Sequence, residues 1–109
     1  MGYDIWVMDV EQFFDVEFPK DMLSVDPWAH AEVMKRVSGQ PFLGRMRAYY
    51  GCEGNAEFDV GELEPLRREI VRTMESGGWS ERAMDFLTSL RDLVDVAITK
   101  GVRIEVRPD

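Results

Sequence analysis

Cysteine and histidine are almost missing from this 109-residue chain: each occurs once, as Cys52 and His30. A lone cysteine cannot close an internal disulfide, so the fold owes nothing to crosslinking and fits a reducing compartment. A lone histidine on a helical stretch leaves nucleophilic catalysis short of its usual nucleophile, base and orienting group. No apolar run approaches the roughly 18 residues a bilayer span needs. Met1–Val10 carries Asp4 and Asp9 where a leader would be basic, and the expected location is cytoplasmic. Basic charge is scarce too, with 13 Lys and Arg against 21 Asp and Glu, a net charge of −8. Affinity for phosphate backbones comes from clustered cations that release counterions, so a cationic partner is expected rather than nucleic acid.

What is present is a globular balance, 45% apolar and 31% charged, which is too hydrophobic for disorder and too charged for a membrane protein. The length suits one continuous core, and residues 1–109 are expected to form a single α+β domain. The acidity is unevenly spread. Asp4, Asp9, Glu11, Asp15, Glu17, Asp21, Asp26 and Glu32 face only Lys20 in residues 1–34, a net charge of −7. A basic interval at Lys35, Arg36, Arg45 and Arg47 follows, then a second acidic one from Glu53 to Glu64; past Pro65 the charges nearly cancel.

Tyr3 to Val10, YDIWVMDV, has the continuous β-branched and aromatic character of a central strand covered on both faces, and EQFFDVEF either extends it or forms a second strand ending at Pro19. Asp26 as N-cap and Pro27 in the first turn predict a helix to Val37, with Val33, Met34 and Val37 inward. The mixed periodicity of residues 42–50 leaves helix and strand both open. GCEGN at 51–55 is turn chemistry, and AEFDV predicts a short strand with Phe58 and Val60 inward. A helix beginning near Glu62 or Pro65 carries Leu63, Leu66, Ile70 and Met74 on one stripe and stops at Gly77 and Gly78. Ser80 caps the next helix, whose apolar positions from Ala83 to Ile98 recur at i, i+3, i+4 and i+7 until Gly101. Val102, Ile104 and Val106 then alternate with Arg103, Glu105 and Arg107 as a strand wet on one face, its charges protecting an edge. The expected architecture is a mixed or antiparallel sheet of three to four strands with an antiparallel helix pair on one face, since the connection at 77–79 is short.

Few residues invite chemistry. Glu53 beside Cys52 would raise a thiol pKa, so the cysteine reads as unactivated. Gly51 and Gly54 lack the lysine and Ser/Thr of a nucleotide loop. Tyr49 and Tyr50 near Arg45 and Arg47 make only a slight stacking surface for single strands. The sharpest pattern is DVE written twice, at Asp9–Glu11 and Asp15–Glu17, which on extended backbone sets pairs of carboxylates on one face. Four carboxylates could hold Mg²⁺ or Ca²⁺, and a metal-dependent enzyme is one alternative. The same stretch interleaves Phe13, Phe14 and Phe18 with acids, the make-up of a binding face. Trp79, between a glycine pair and a helix cap, is either an exposed anchor or a packing contact.

From Glu62 onward, ELEPLRREIVRTMESGG followed by AMDFLTSLRDLVDVAITKGVRIEV resembles bacterial proteins of the polymorphic-toxin immunity kind, over less than half the chain. The resemblance implies a small acidic protein that neutralises a toxin by occluding its working surface; no family site residue maps onto a position here. The sequence thus points to a non-enzymatic protein-binding module, without cofactor or metal, meeting a basic partner through Asp9, Glu11, Phe14, Asp15, Glu17, Asp21 and Trp79. A structural homodimer is the remaining alternative, against which the charged final strand favours a monomer.

Overall fold

The computed structural model describes residues 3–7, 22–37, 39–47 and 56–108, and over these the chain is an α+β fold in which helix predominates. Strand β1 (Tyr3–Val7) is followed by β2 (Met22–Ser24), helix α1 (Pro27–Val37), a 3₁₀ turn (Leu43–Arg47), β3 (Ala56–Phe58), α2 (Val60–Glu75), α3 (Glu81–Lys100) and β4 (Ile104–Pro108). The strands pair antiparallel in the order β2–β1–β4–β3. Because β2 and β3 have three residues each, the substance of the sheet is the five-residue pairing of β1 with β4.

Register decides which face is covered. Ile5 lies opposite Leu23 on one side and Val106 on the other, while Ile104 faces Phe58. Side chains alternate across a strand, so these apolar residues share a face. Ile5, Phe58, Ile104 and Val106 are buried there, with Leu23 packed against them. On the wet face Glu57 stands opposite Glu105, a like-charge pair that weakens a ladder, and Arg103 offsets it with Nε 3.2 Å from Glu57 Oε1.

Each helix starts where its local chemistry can satisfy orphan amides. Asp26 Oδ1 accepts the Trp28 N–H at 2.9 Å and opens α1. Asp59 and Glu62 close a reciprocal capping box on α2, each side chain accepting from the other's backbone N–H. Ser80 accepts from Ala83 N–H to open α3, and Gly101, at φ 68°, ends it. Helix α3 packs against β1, β2, α1 and α2, and α2 also reaches β3. Arg67 of α2 pairs with Asp95 of α3 at 2.5 Å, a contact that helices running in opposite directions bring together.

Four expectations are corrected. Helix α2 begins at Val60, because Asp59 completes the capping box; Val60 is therefore an exposed first-turn residue at 52%, not an inward strand residue. Pro65 falls inside this helix. Ile98 is only partly buried, at the fringe of the core. Strand β4 is interior, flanked by β1 and β3, so its charges do not guard an edge; the covered face of its neighbours holds it there. Residues 8–21 and 48–55, with EQFFDVEF and GCEGN, lie outside the described residues.

Residues 39–47 carry two deeply buried side chains, Leu43 and Met46, on a stretch that ends in the 3₁₀ turn, whose leading amides have no helical acceptor of their own. Glu69 of α2 supplies what is missing. Its Oε1 accepts the N–H groups of Phe42 at 3.2 Å and Leu43 at 2.8 Å, acting as a cap borrowed from another helix. Since Glu69 is only 5% exposed and its bond to Leu43 is buried, Glu69→Ala strands the Leu43 amide and removes the acceptor of the half-buried Phe42 amide, and should cost about 2–3 kcal/mol. Glu69→Gln keeps an acceptor and should cost less. Urea unfolding of the two variants measures the difference, and equal losses would contradict the role given to Oε1.

Candidate functional site

The imidazole is committed to structure. His30 projects from the buried face of α1, and its Nε2 lies 2.6 Å from the Met46 carbonyl oxygen. A carbonyl only accepts, so Nε2 carries the proton and donates. Burial pushes the His30 pKa below its ordinary 6.5, partly opposed by this hydrogen bond.

Trp79 is half-buried against the core, and its indole N–H donates to the Thr73 carbonyl at 2.7 Å. The Arg36 guanidinium lies over its ring, 3.9 Å from the centroid. Arg36 also donates to Gly77 O at 2.9 Å and to Ser76 Oγ at 3.1 Å. One turn earlier on α1, Glu32 accepts from both the backbone N–H and the hydroxyl of Ser80, at 2.9 and 2.6 Å. Those two bonds, then the nearby Arg36 and Lys35, hold the Glu32 pKa below its usual 4.5. Of the two roles open to Trp79, its contacts within the chain describe packing: α1 grips the turn between α2 and α3, and Trp79 is part of that grip.

The exposed aromatic is elsewhere. Trp28, on the first turn of α1, is 74% exposed. At about 100° per residue it points away from the side bearing Ala29, His30, Val33, Met34 and Val37. Beside Asp26 the surface dips into a cleft of about 200 Å³ lined by Leu23, Ser24, Asp26, Arg82, Asp85, Phe86 and Ser89. Asp26 spans the two features, with Oδ2 3.5 Å from Arg82 Nε. The helical wheel of residues 27–37 carries the signal for Trp28, which the inward residues alone do not reveal.

A second depression, about 580 Å³, runs between residues 41–42 and the outer side of α2. Pro41, Phe42, Pro65 and Val71 line it together with Arg67, Arg68 and Arg72, while Glu69 contributes from the inner wall. Arg45 closes the nearby structure, pairing with Glu62 at 2.6 Å and lying over the rings of Phe42 and Phe58. That pairing lowers the Glu62 pKa and raises that of Arg45.

Asp9, Glu11, Phe14, Asp15, Glu17 and Asp21 lie outside the described residues, as do Cys52, Tyr49 and Tyr50. Among the described residues, no group of three or more His, Cys, Asp or Glu side chains could hold a metal ion. No described helix is long and apolar enough to cross a membrane. No protein-family model, curated protein or solved structure matches the chain.

The lowered His30 pKa sets a sign for the pH dependence of stability. The folded state prefers the neutral ring, so this contribution is full above 6.5 and is lost as pH falls through the folded-state pKa. NMR titration should place the His30 midpoint below 6.5, and wild type should lose more urea stability between pH 7.5 and 5 than His30→Gln does. A midpoint at or above 6.5 would contradict this assignment.

Proposed function

We propose that the chain is a non-enzymatic protein-binding module that meets a basic partner through its acidic N-terminal third, the partner being a co-encoded toxin that it neutralises as an immunity-type inhibitor. One observation carries the reading: residues 1–34 hold a net charge of −7 out of −8 for the whole chain. Charge concentrated in this way steers a cationic surface and raises its association rate. Trp28 supports it further, since a tryptophan held out at 74% exposure within this acidic third is the kind of side chain that anchors an interface. His30 adds indirect support, because the chain's one imidazole is bonded to a backbone carbonyl. The immunity-type version rests on the resemblance of residues 62–106, and the cytoplasmic location on composition. The contact set proposed is Asp9, Glu11, Phe14, Asp15, Glu17 and Asp21 with Trp28, while Trp79 acts through the packing of the turn.

The test is affinity for the product of the neighbouring gene, measured by calorimetry across a salt series. Binding should weaken with added salt. Trp28→Ala should weaken it by about tenfold or more while leaving the melting temperature nearly unchanged, as expected for an exposed anchor. Absence of binding to any co-encoded protein would sink the inhibitor version, and salt-independent binding would sink the electrostatic one.

A further inference from the structure

We infer that the arginine-lined groove on α2 takes an acidic, partly apolar peptide segment of a partner protein, a ligand opposite in sign to the one proposed for the N-terminal third. Arg68 and Arg72 are exposed, stand one helical turn apart on the same face, and have no ion-pair partner among the described residues. Arg67 is in a different position, its guanidinium held by Asp95. The carboxylate that could have neutralised the groove, Glu69, is turned inward onto the amides of Phe42 and Leu43. In a protein of net charge −8, this leaves Arg68 and Arg72 as a local cationic strip along a groove whose described lining holds no carboxylate besides Glu69.

The rest of the lining selects among anions. Pro41, Phe42, Pro65 and Val71 give the groove an apolar floor. A bare phosphate would leave that floor uncovered, and a nucleic acid would be opposed by the charge of the whole protein at distances beyond the two arginines. A short segment that alternates carboxylates with apolar side chains satisfies both parts, with carboxylates on the guanidiniums and apolar groups on the prolines and Phe42. The walls are preformed: the Phe42 backbone is bonded to Glu69, and its ring lies 5.1 Å from the Arg45 guanidinium, so little ordering is required on binding.

The test uses a fluorescein-labelled octapeptide alternating glutamate with leucine, titrated with the full chain and followed by anisotropy. The lysine–leucine counterpart, inorganic triphosphate and an oligothymidylate serve as comparisons. The glutamate peptide should bind better than the lysine peptide and lose at least about tenfold in affinity with Arg68→Glu plus Arg72→Glu, two charge-assisted contacts being removed. Because both arginines are exposed, circular dichroism should be unchanged, and Arg68→Lys plus Arg72→Lys should retain part of the binding. Val71→Asp should also weaken it if the apolar floor is used. An unchanged affinity in the glutamate double variant, equal binding of the lysine peptide, or displacement by triphosphate or oligothymidylate as effective as by unlabelled peptide overturns the proposal. So does a wild-type dimer, seen by light scattering, that the double variant dissociates, since the groove would then be filled by a second copy. Failure here leaves the N-terminal reading intact, because Trp28 and residues 9–21 take no part in it.

Discussion

The fold depends on covering one helix. Ala83, Phe86, Leu87, Leu90, Leu93, Val94 and Ala97 make an apolar surface on α3 that is too wide for a single partner. Helix α2 takes one flank, α1 another, and the β1–β2 side of the sheet the third. That demand explains why the sheet can be so slight. Its edges contribute three-residue strands, yet Ile5, Phe58, Ile104 and Val106 all work on one face, where burial of apolar area supplies most of the stabilisation. The strands need only be long enough to present that face.

Burying so much of α3 forces polar groups into awkward places, and three side chains resolve the conflict. Glu69 caps the amides of Phe42 and Leu43, His30 bonds the carbonyl of Met46, and together they tie the 3₁₀ turn to α2 and α1. Glu32 does the same for the other connection, accepting from Ser80 so that the serine oxygen is free to accept from Ala83 N–H. Gly77 and Gly78 make that connection possible with φ near 73° and 79°, a left-handed backbone that residues with a Cβ rarely adopt. Among the described residues, these ionisable groups are thus used as partners of the backbone, while the outward faces of α1 and α2 carry Trp28 and the arginine strip.

Those two surfaces differ in sign and in character. The Trp28 corner belongs to an acidic third of the chain and offers an aromatic ring beside a small cleft. The α2 groove is cationic, floored by proline and phenylalanine. A partner with a basic body and an acidic segment could engage both, and simultaneous engagement would multiply the two affinities through a high effective concentration.

The sequence by itself determined the three helices and most of their ends, the start of α2 at Val60 excepted. Asp26–Pro27, Ser80 and Gly101 are local signals, read by backbone groups two to four residues away, and the 3.6-residue periodicity of α2 and α3 marks their buried stripes without knowledge of what covers them. The acidity of residues 1–34 is legible in the same way. Tertiary structure alone decided the interior place of β4, the inward turn of Glu69, the packing of Trp79 under Arg36 and the groove between residues 41–42 and α2. Each of these joins residues distant in the chain, 43 positions apart for Arg36 and Trp79 and 101 for Ile5 and Val106. No local propensity encodes such a meeting. A glutamate on a helix reads as a solvated charge until the fold brings two unsatisfied amides to it.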